Sequence, residues 1–298
     1  MAQESMNIQW YPGHMTKTRR QIEADLKQVD AVCEIVDARI PISSRNPDID
    51  AICGDKPRIV ILNRLDLADP AATRRWAEAF RRKGIAAVAT DCKNRKGIAD
   101  FQPAVRQVLQ EKLRRNAVRG MNRPLRVMVV GIPNVGKSTL INQIAGRKGA
   151  KAENRPGVTR GKQWITVDSG LLLLDTPGIL WPKFEDPQVG MMLSYTGAVK
   201  DDILDLEALA CQLMELLHQR YPQALMARYG VEAPPLTPGY TLLEMAGRKR
   251  GFLVSGGEIH TERMAKVLLE EFRSGKLGRF TLEEPMEDAY GGKESLGN

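Results

Sequence analysis

Residues 125–146 read LRVMVVGIPNVGKSTLINQIAG. The opening run, LRVMVV, is almost continuously apolar, which is what a strand covered on both faces of a parallel sheet requires. Gly131, Gly136, Lys137 and Ser138 then satisfy G-x-x-x-x-G-K-[ST]. Leu140, Ile141 and Ile144 follow at helical spacing. A glycine loop between a strand and a helix N-terminus is an anion cradle, because backbone N–H groups and the helix dipole point at the same place. Asn134, Val135 and Gly136 supply the loop, Lys137 reaches the β- and γ-phosphates, the Ser138 hydroxyl is a ligand for Mg2+, and Thr139 lies beside it. The loop alone does not choose between ATP and GTP.

Working outward, further apolar runs occur at 31–38, 58–63, 84–90, 163–167 and 171–175, with amphipathic helical stretches at 16–28, 71–83, 98–115 and 136–146. The alternation predicts an α/β fold with a mostly parallel sheet and helices on both faces. QWITV and LLLLD are separated by three residues containing Gly170, which predicts one antiparallel hairpin at an edge. From about 187 the pattern is helical only, at 187–198, 203–218, 222–229, 240–247 and 260–272. The expected organisation is an N-terminal segment and α/β domain over 1–186, a smaller all-helical domain over 187–285, and a flexible tail over 286–298.

Charge divides the chain at nearly the same place. Residues 1–199 hold 32 basic and 20 acidic residues and 200–298 hold 12 and 16, or +12 and −4, which sum to the formal +8. Clusters at 74–83 and 112–126 suit a phosphate backbone, so RNA or DNA is a reasonable partner. Cys33, Cys53, Cys92 and Cys211 form no CxxC pair, which argues against a zinc site and for reduced structural thiols. The first residues lack the pattern of a secretion signal, and no apolar run is long enough to span a bilayer. A cytoplasmic protein, monomeric in its simplest form, is expected.

Base and metal recognition need further elements. Asp175-Thr176-Pro177-Gly178 ends the LLLL run, about forty residues after the loop. A carboxylate at Asp175 can hold the Mg2+ shell, and the Gly178 amide can donate to a γ-phosphate that exists only before hydrolysis. Thr159, in PGVTRG, is a candidate second Mg2+ ligand. Upstream of all these, Asn63-Arg64-Leu65-Asp66 ends the run RIVIL. The Asp66 carboxylate can accept from guanine N1–H and N2–H2, which adenine does not offer, so the set selects GTP and GDP. Arg64 stands where such loops carry lysine, and its stem can cover the base face. Thr90 and Asp91 end the next strand, where a second base loop belongs. The element order is thus a rotation of the ordinary GTPase order, a circular permutation, with 102–124 bridging the former gap. Ligands bind at the carboxyl ends of parallel strands wherever the termini fall. The segment after Gly178 leads directly into the helical domain, so loss of the γ-phosphate is expected to reorient one against the other.

With these elements and their order, the chain resembles the circularly permuted GTPases, and among them the ribosome biogenesis GTPase A (RbgA/YlqF) type. Ile8-Gln9-Trp10-Tyr11-Pro12-Gly13-His14-Met15, Asp37-Ala38-Arg39 and Ser44-Arg45-Asn46-Pro47 carry the same resemblance. It implies a GTP-hydrolysing factor for late assembly of the large ribosomal subunit, contacting that particle and its rRNA. It also implies a helical domain that touches RNA. Ile179 follows the D-x-x-G glycine and cannot orient a water, so slow intrinsic turnover accelerated by a partner is expected. The resemblance gives the catalytic role to His14, with Lys137 and Thr159 as the other catalytic residues, and makes Asn134 the candidate ligand of K+ as a second cofactor. Two other classes stay open: an RNA-binding assembly module with a purely structural nucleotide site, and an ATPase or kinase that borrows the loop.

Overall fold

The computed structural model describes residues 20, 22–47, 49–146, 163–168, 170–176, 186–254 and 256–285. Helical residues 22–26 (α1) lead into β1 (Ala31–Asp37), a fully buried strand. Then come the short α2 (Ile49–Cys53), β2 (Arg58–Asn63), α3 (Pro70–Arg82), β3 (Ala86–Ala89), α4 (Phe101–Val108) and α5 (Gln110–Val118). After these follow β4 (Leu125–Gly131), α6 (Lys137–Ala145), β5 (Gln163–Asp168) and β6 (Leu171–Asp175). The sheet order is β3-β2-β1-β4-β6-β5. β5 is antiparallel to β6, as the hairpin reading requires, and the other pairings are parallel.

Register sets the functional edge. Asp37 lies opposite Asn63, Ile35 opposite Gly131, Leu62 opposite Ala89, and Val129 opposite Asp175. The carboxyl ends of β1, β2, β3, β4 and β6 therefore form one edge. Chain order runs outward in opposite directions from β1 and β4, which makes their junction the crevice where such sheets take ligands.

Helix boundaries follow local chemistry. Asp69 caps α3 by accepting from the amides of Ala71 and Ala72, with Pro70 at the first helical position. The single helix expected over 98–115 is instead a 3-10 turn (Ile98–Asp100), α4 and α5, broken at Leu109. The break falls where the apolar stripe ends: Phe101, Val105 and Leu109 are buried, whereas α5 buries no residue. Most of the expected linker is therefore helical. α2 has five residues, too few for its periodicity to be read.

Downstream are α7 (Pro187–Tyr195), α8 (Leu206–Arg220), α9 (Pro222–Tyr229), α10 (Gly239–Lys249) and α11 (Thr261–Ser274). Leu209, Leu213 and Leu217 of α8 pack with Leu242 and Leu243 of α10 and Leu268 and Phe272 of α11 in one buried cluster. Gly239 permits the closest approach, since a Cβ there would sit 2.1 Å from the Cys211 carbonyl oxygen. His218 Nε2 donates to the Pro234 carbonyl at 3.0 Å and holds that loop, and His260 Nδ1 accepts from the Arg263 amide at 3.4 Å and caps α11. Cys33, Cys53 and Cys92 are free and buried. No helix among the described residues is long and apolar enough to cross a membrane.

After α11 the chain turns at Gly275 and runs back as a strap, residues 277–285, against the α/β part. Phe280 stacks on Phe272 at 5.8 Å and meets Tyr221 edge-on at 5.0 Å. The Glu283 carboxylate accepts from the amides of Ile42, at 2.6 Å, and Ser43, at 3.0 Å. Burial pushes that carboxyl up, against those two bonds, which lower it.

Candidate nucleotide-binding site

The loop after β4 has the conformation an anion cradle needs. Asn134 (φ 62°) and Gly136 (φ 100°) are both left-handed, which turns successive N–H groups inward. A Cβ at Gly136 would lie 2.4 Å from Asn63 Nδ2, so both φ and space demand glycine. α6 begins at Lys137, and the side chains of Ser138 and Thr139 are exposed in its first turn. An open cavity of about 630 Å³ is lined by Arg64, Asn134, Gly136, Lys137, Ser138 and Thr139, among others. Lys137 Nζ pairs with the carboxylate of Asp175, the last residue of β6. Next to it the Thr176 hydroxyl donates to the Val129 carbonyl at 2.7 Å, which ties this strand end to β4.

The upstream candidate base elements arrive at the same edge through Asn63, which is 2% exposed. Its Nδ2 donates to the Val135 carbonyl at 2.8 Å. Its Oδ1 accepts from the Thr90 hydroxyl at 3.1 Å and the Cys92 amide at 3.4 Å. One side chain thus joins the ends of β2 and β3 to the phosphate loop. Arg64 (φ 70°) crosses the same gap, its Nη2 donating to the Asn134 carbonyl at 3.2 Å. Asp66 is half-buried, and its carboxylate has no hydrogen-bond or ion-pair partner among the described residues. Asp91 closes its own turn instead, accepting from the Asn94 amide at 2.9 Å and Asn94 Nδ2 at 2.7 Å. Burial pushes the Cys92 thiol up, opposed by its contact with Thr90, so it is a neutral thiol in this cluster.

Eleven of the candidate residues, Asn63, Arg64, Asp66, Thr90, Asp91, Asn134, Val135, Gly136, Lys137, Ser138 and Thr139, thus lie on the strand end, loops and first helical turn at one sheet edge, with Asp175 beside them. His14, Thr159 and Gly178 lie outside the described residues. For Mg2+, the donors present are a hydroxyl and a carboxylate, both hard oxygens, which fits that ion. Asn134 Nδ2 donates to the Gly197 carbonyl at 3.2 Å, which leaves its amide oxygen as the donor a K+ would take.

Two features of the site surround are not carried by the motifs. Arg39 forms a bidentate pair with Asp37 (3.0 and 2.7 Å), both buried, and lies 5.5 Å over the Phe272 ring. The strap then touches the backbone on either side of the base loop. Its sequence signal is the apolar spacing of Leu277, Phe280 and Leu282 just after a glycine helix stop.

A family model described as a 50S ribosome-binding GTPase matches residues 126–220, a span that contains the phosphate loop and excludes the upstream base loop. Ribosome biogenesis GTPase A of Priestia megaterium is 48% identical over 284 residues, covering 95% of this chain and 98% of that protein. Among solved structures, a GDP-bound TM YlqF gives a TM-score of 0.61 at 29% identity, covering 89% of this chain and 99% of the other. GNP-bound YlqF from T. maritima gives 0.59 at 29% identity, covering 91% and 99%. With the fold, the permuted order and these likenesses in agreement, the chain belongs to the ribosome biogenesis GTPase A family.

Proposed function

We propose that this protein binds GTP across the β1/β4 junction, hydrolyses it with Mg2+, and acts in assembly of the large ribosomal subunit, whose particle stimulates turnover. The observation that carries this reading is the Asn63 side chain. It joins both base loops to the phosphate loop, the arrangement a single nucleotide needs if its base and phosphates are to be held together. Base choice is assigned to Asp66, phosphate contacts to the backbone of 134–136 and to Lys137, and the Mg2+ shell to Ser138, Asp175 and Thr159. The Lys137–Asp175 pair supports this, because both groups already face the same small volume. Asn134 is the proposed K+ ligand, and His14 the proposed water-positioning residue.

The functional division is proposed at 186/187, the first part holding the nucleotide and the second relaying its state to the particle. Exposed Arg74, Arg81 and Arg82 on α3 with Lys83 at its C-cap, and Arg114, Arg115, Arg119, Arg123 and Arg126 near the amino edge of the sheet, suit rRNA phosphates. The test is GTP turnover in K+ buffer with and without large subunits, for wild type and His14→Ala. Stimulation that His14→Ala removes, with GTP affinity kept, is the expected result. Equal turnover with and without the particle would sink the proposed partner.

A further inference from the structure

The base loop is held from behind by a segment more than two hundred residues away. Leu65, Leu67 and Ala68 flank Asp66, and each offers its carbonyl to the strap. Arg279 Nη2 donates to Leu65, the Phe280 amide to Leu67 at 2.8 Å, and Arg279 Nε to Ala68 at 2.9 Å. Thr281 closes the row: its hydroxyl accepts from the Asp69 amide at 3.2 Å and donates to the Ala38 carbonyl at 3.0 Å. The loop's other bonds use its amides and its head, with the Leu67 and Ala68 amides donating to the Arg64 carbonyl, the Leu65 amide to the Thr90 carbonyl and Arg64 Nη2 to the Asn134 carbonyl, so the carbonyls of Leu65, Leu67 and Ala68 are held by the strap. Arg64 at the head of the loop is left-handed, a conformation that surrounding contacts must maintain.

We infer that Arg279 and Thr281 are positioning residues for base recognition, holding the Asp66 carboxylate where a guanine edge arrives. The inference rests on the reading of Asp66 as the guanine contact. A carboxylate discriminates between bases only if it is fixed within a few tenths of an ångström of its two donors. Leu67 and Ala68 bury their side chains beneath the loop, but Leu65 and Asp66 stand only half-buried, so the backbone bonds to the strap are what fix the loop at the carboxylate. Arg279 suits the task because its guanidinium presents two N–H groups in a rigid fork that spans the carbonyls of Leu65 and Ala68. Arg279 is itself exposed, so its function here is not to fill a core. Phe280 and Leu282 are 2% and 1% exposed and supply the packing that anchors the strap. Because Tyr221 donates to the Thr281 carbonyl at 2.9 Å, the same strap links the base loop to the C-terminal helices.

The test uses the full-length chain and follows dissociation of fluorescent GDP and of inosine diphosphate, which lacks the 2-amino group, for wild type, Arg279→Ala, Arg279→Lys, Thr281→Val and Asp66→Asn. Thermal unfolding without nucleotide controls for folding. Arg279→Ala is expected to speed GDP release about tenfold and to shrink the preference for GDP over inosine diphosphate, with an unchanged melting temperature. Lysine, with a single point of donation, is expected to fall between alanine and wild type, and it carries the test if the alanine variant does not fold. If Arg279→Ala and Thr281→Val leave both release and preference within about twofold while Asp66→Asn abolishes the preference, the strap does not position the base and the inference fails alone. Equal weakening of both nucleotides alongside a lowered melting temperature also overturns it, as a structural effect. If Asp66→Asn itself keeps the preference, the base reading fails and takes the inference with it.

Discussion

The two halves of the proposed nucleotide site are built in opposite ways. The phosphate half is eight consecutive residues, Gly131 to Ser138, whose shape comes from two left-handed positions and a helix start. The base half gathers Asn63 to Asp66, Thr90 to Cys92 and the strap at 279–281, with the strap more than two hundred residues from the first segment. An anion is a nearly spherical target that backbone N–H groups can surround locally. A base edge is a directional target, and its carboxylate partner must be braced from several sides. The halves meet in two bonds, a buried one from Asn63 Nδ2 to the Val135 carbonyl and an exposed one from Arg64 Nη2 to the Asn134 carbonyl.

That junction gives the largest expected effect. Gly136→Ala places a Cβ against Asn63 Nδ2 at a φ that L residues avoid, so it distorts the phosphate loop and the base hub together. GTP affinity is expected to fall about a hundredfold, near 2.7 kcal/mol, as read by titration calorimetry. If affinity held, the loop and the hub would not be in contact in solution.

Asn63→Ala cuts the buried bond of the junction without strain. It removes bonds to Val135, Thr90 and Cys92 in a buried place, and about 2 kcal/mol of stability is expected to go with them in urea unfolding. GTP and GDP should both weaken, since neither half then holds the other in register. A variant that unfolds as wild type does would show the hub to be dispensable.

The smallest effect lies behind the strap. Glu271 accepts from Arg228 and from the Tyr229 hydroxyl, and its backbone carbonyl takes the Leu277 amide at 3.2 Å, where the strap begins. The Arg228 hydrogen bond, first among its neighbours, holds this carboxyl below its ordinary 4.5, against burial. The folded state therefore binds its proton less readily than the unfolded chain does. The stability it contributes is complete above the ordinary value and is lost as pH falls through the folded one. Glu271→Gln is expected to cost about 1 kcal/mol at pH 7, with the gap to wild type closing below pH ~4 in thermal melts. A gap constant across that range would contradict the charged state.

The same contrast explains what the sequence disclosed. Six strands, the edge hairpin and the phosphate loop were legible because each is a local pattern, an apolar run or a spacing of glycines. Asn63 was legible as a motif position, but its work as a hub was not, because its three partners come from the loops after β3 and β4. The Asp37–Arg39 pair entered through resemblance alone, since nothing in D-A-R announces a buried ion pair over Phe272. The strap's contacts were hidden for the same reason: Glu283 and Glu284 fall within the span expected to be helical, yet they lie in the strap and meet Ser43 and Arg75. The break at Leu109 depended on where the sheet stops covering a helix, which is a property of the packed molecule.

The most direct test of a site with two separable halves sets Asp66→Asn beside Lys137→Ala and measures affinity for GDP, ADP and xanthosine diphosphate. Xanthine carries an oxygen where guanine has its 2-amino group, so an asparagine amide suits it and a carboxylate does not. Asp66→Asn is expected to keep affinity for diphosphates as a class while moving its preference from GDP to xanthosine diphosphate by about a hundredfold. Lys137→Ala is expected to weaken all three nucleotides alike and leave the order of preference unchanged. If Lys137→Ala altered the preference, or Asp66→Asn weakened every nucleotide equally, the assignment of the two halves would be contradicted.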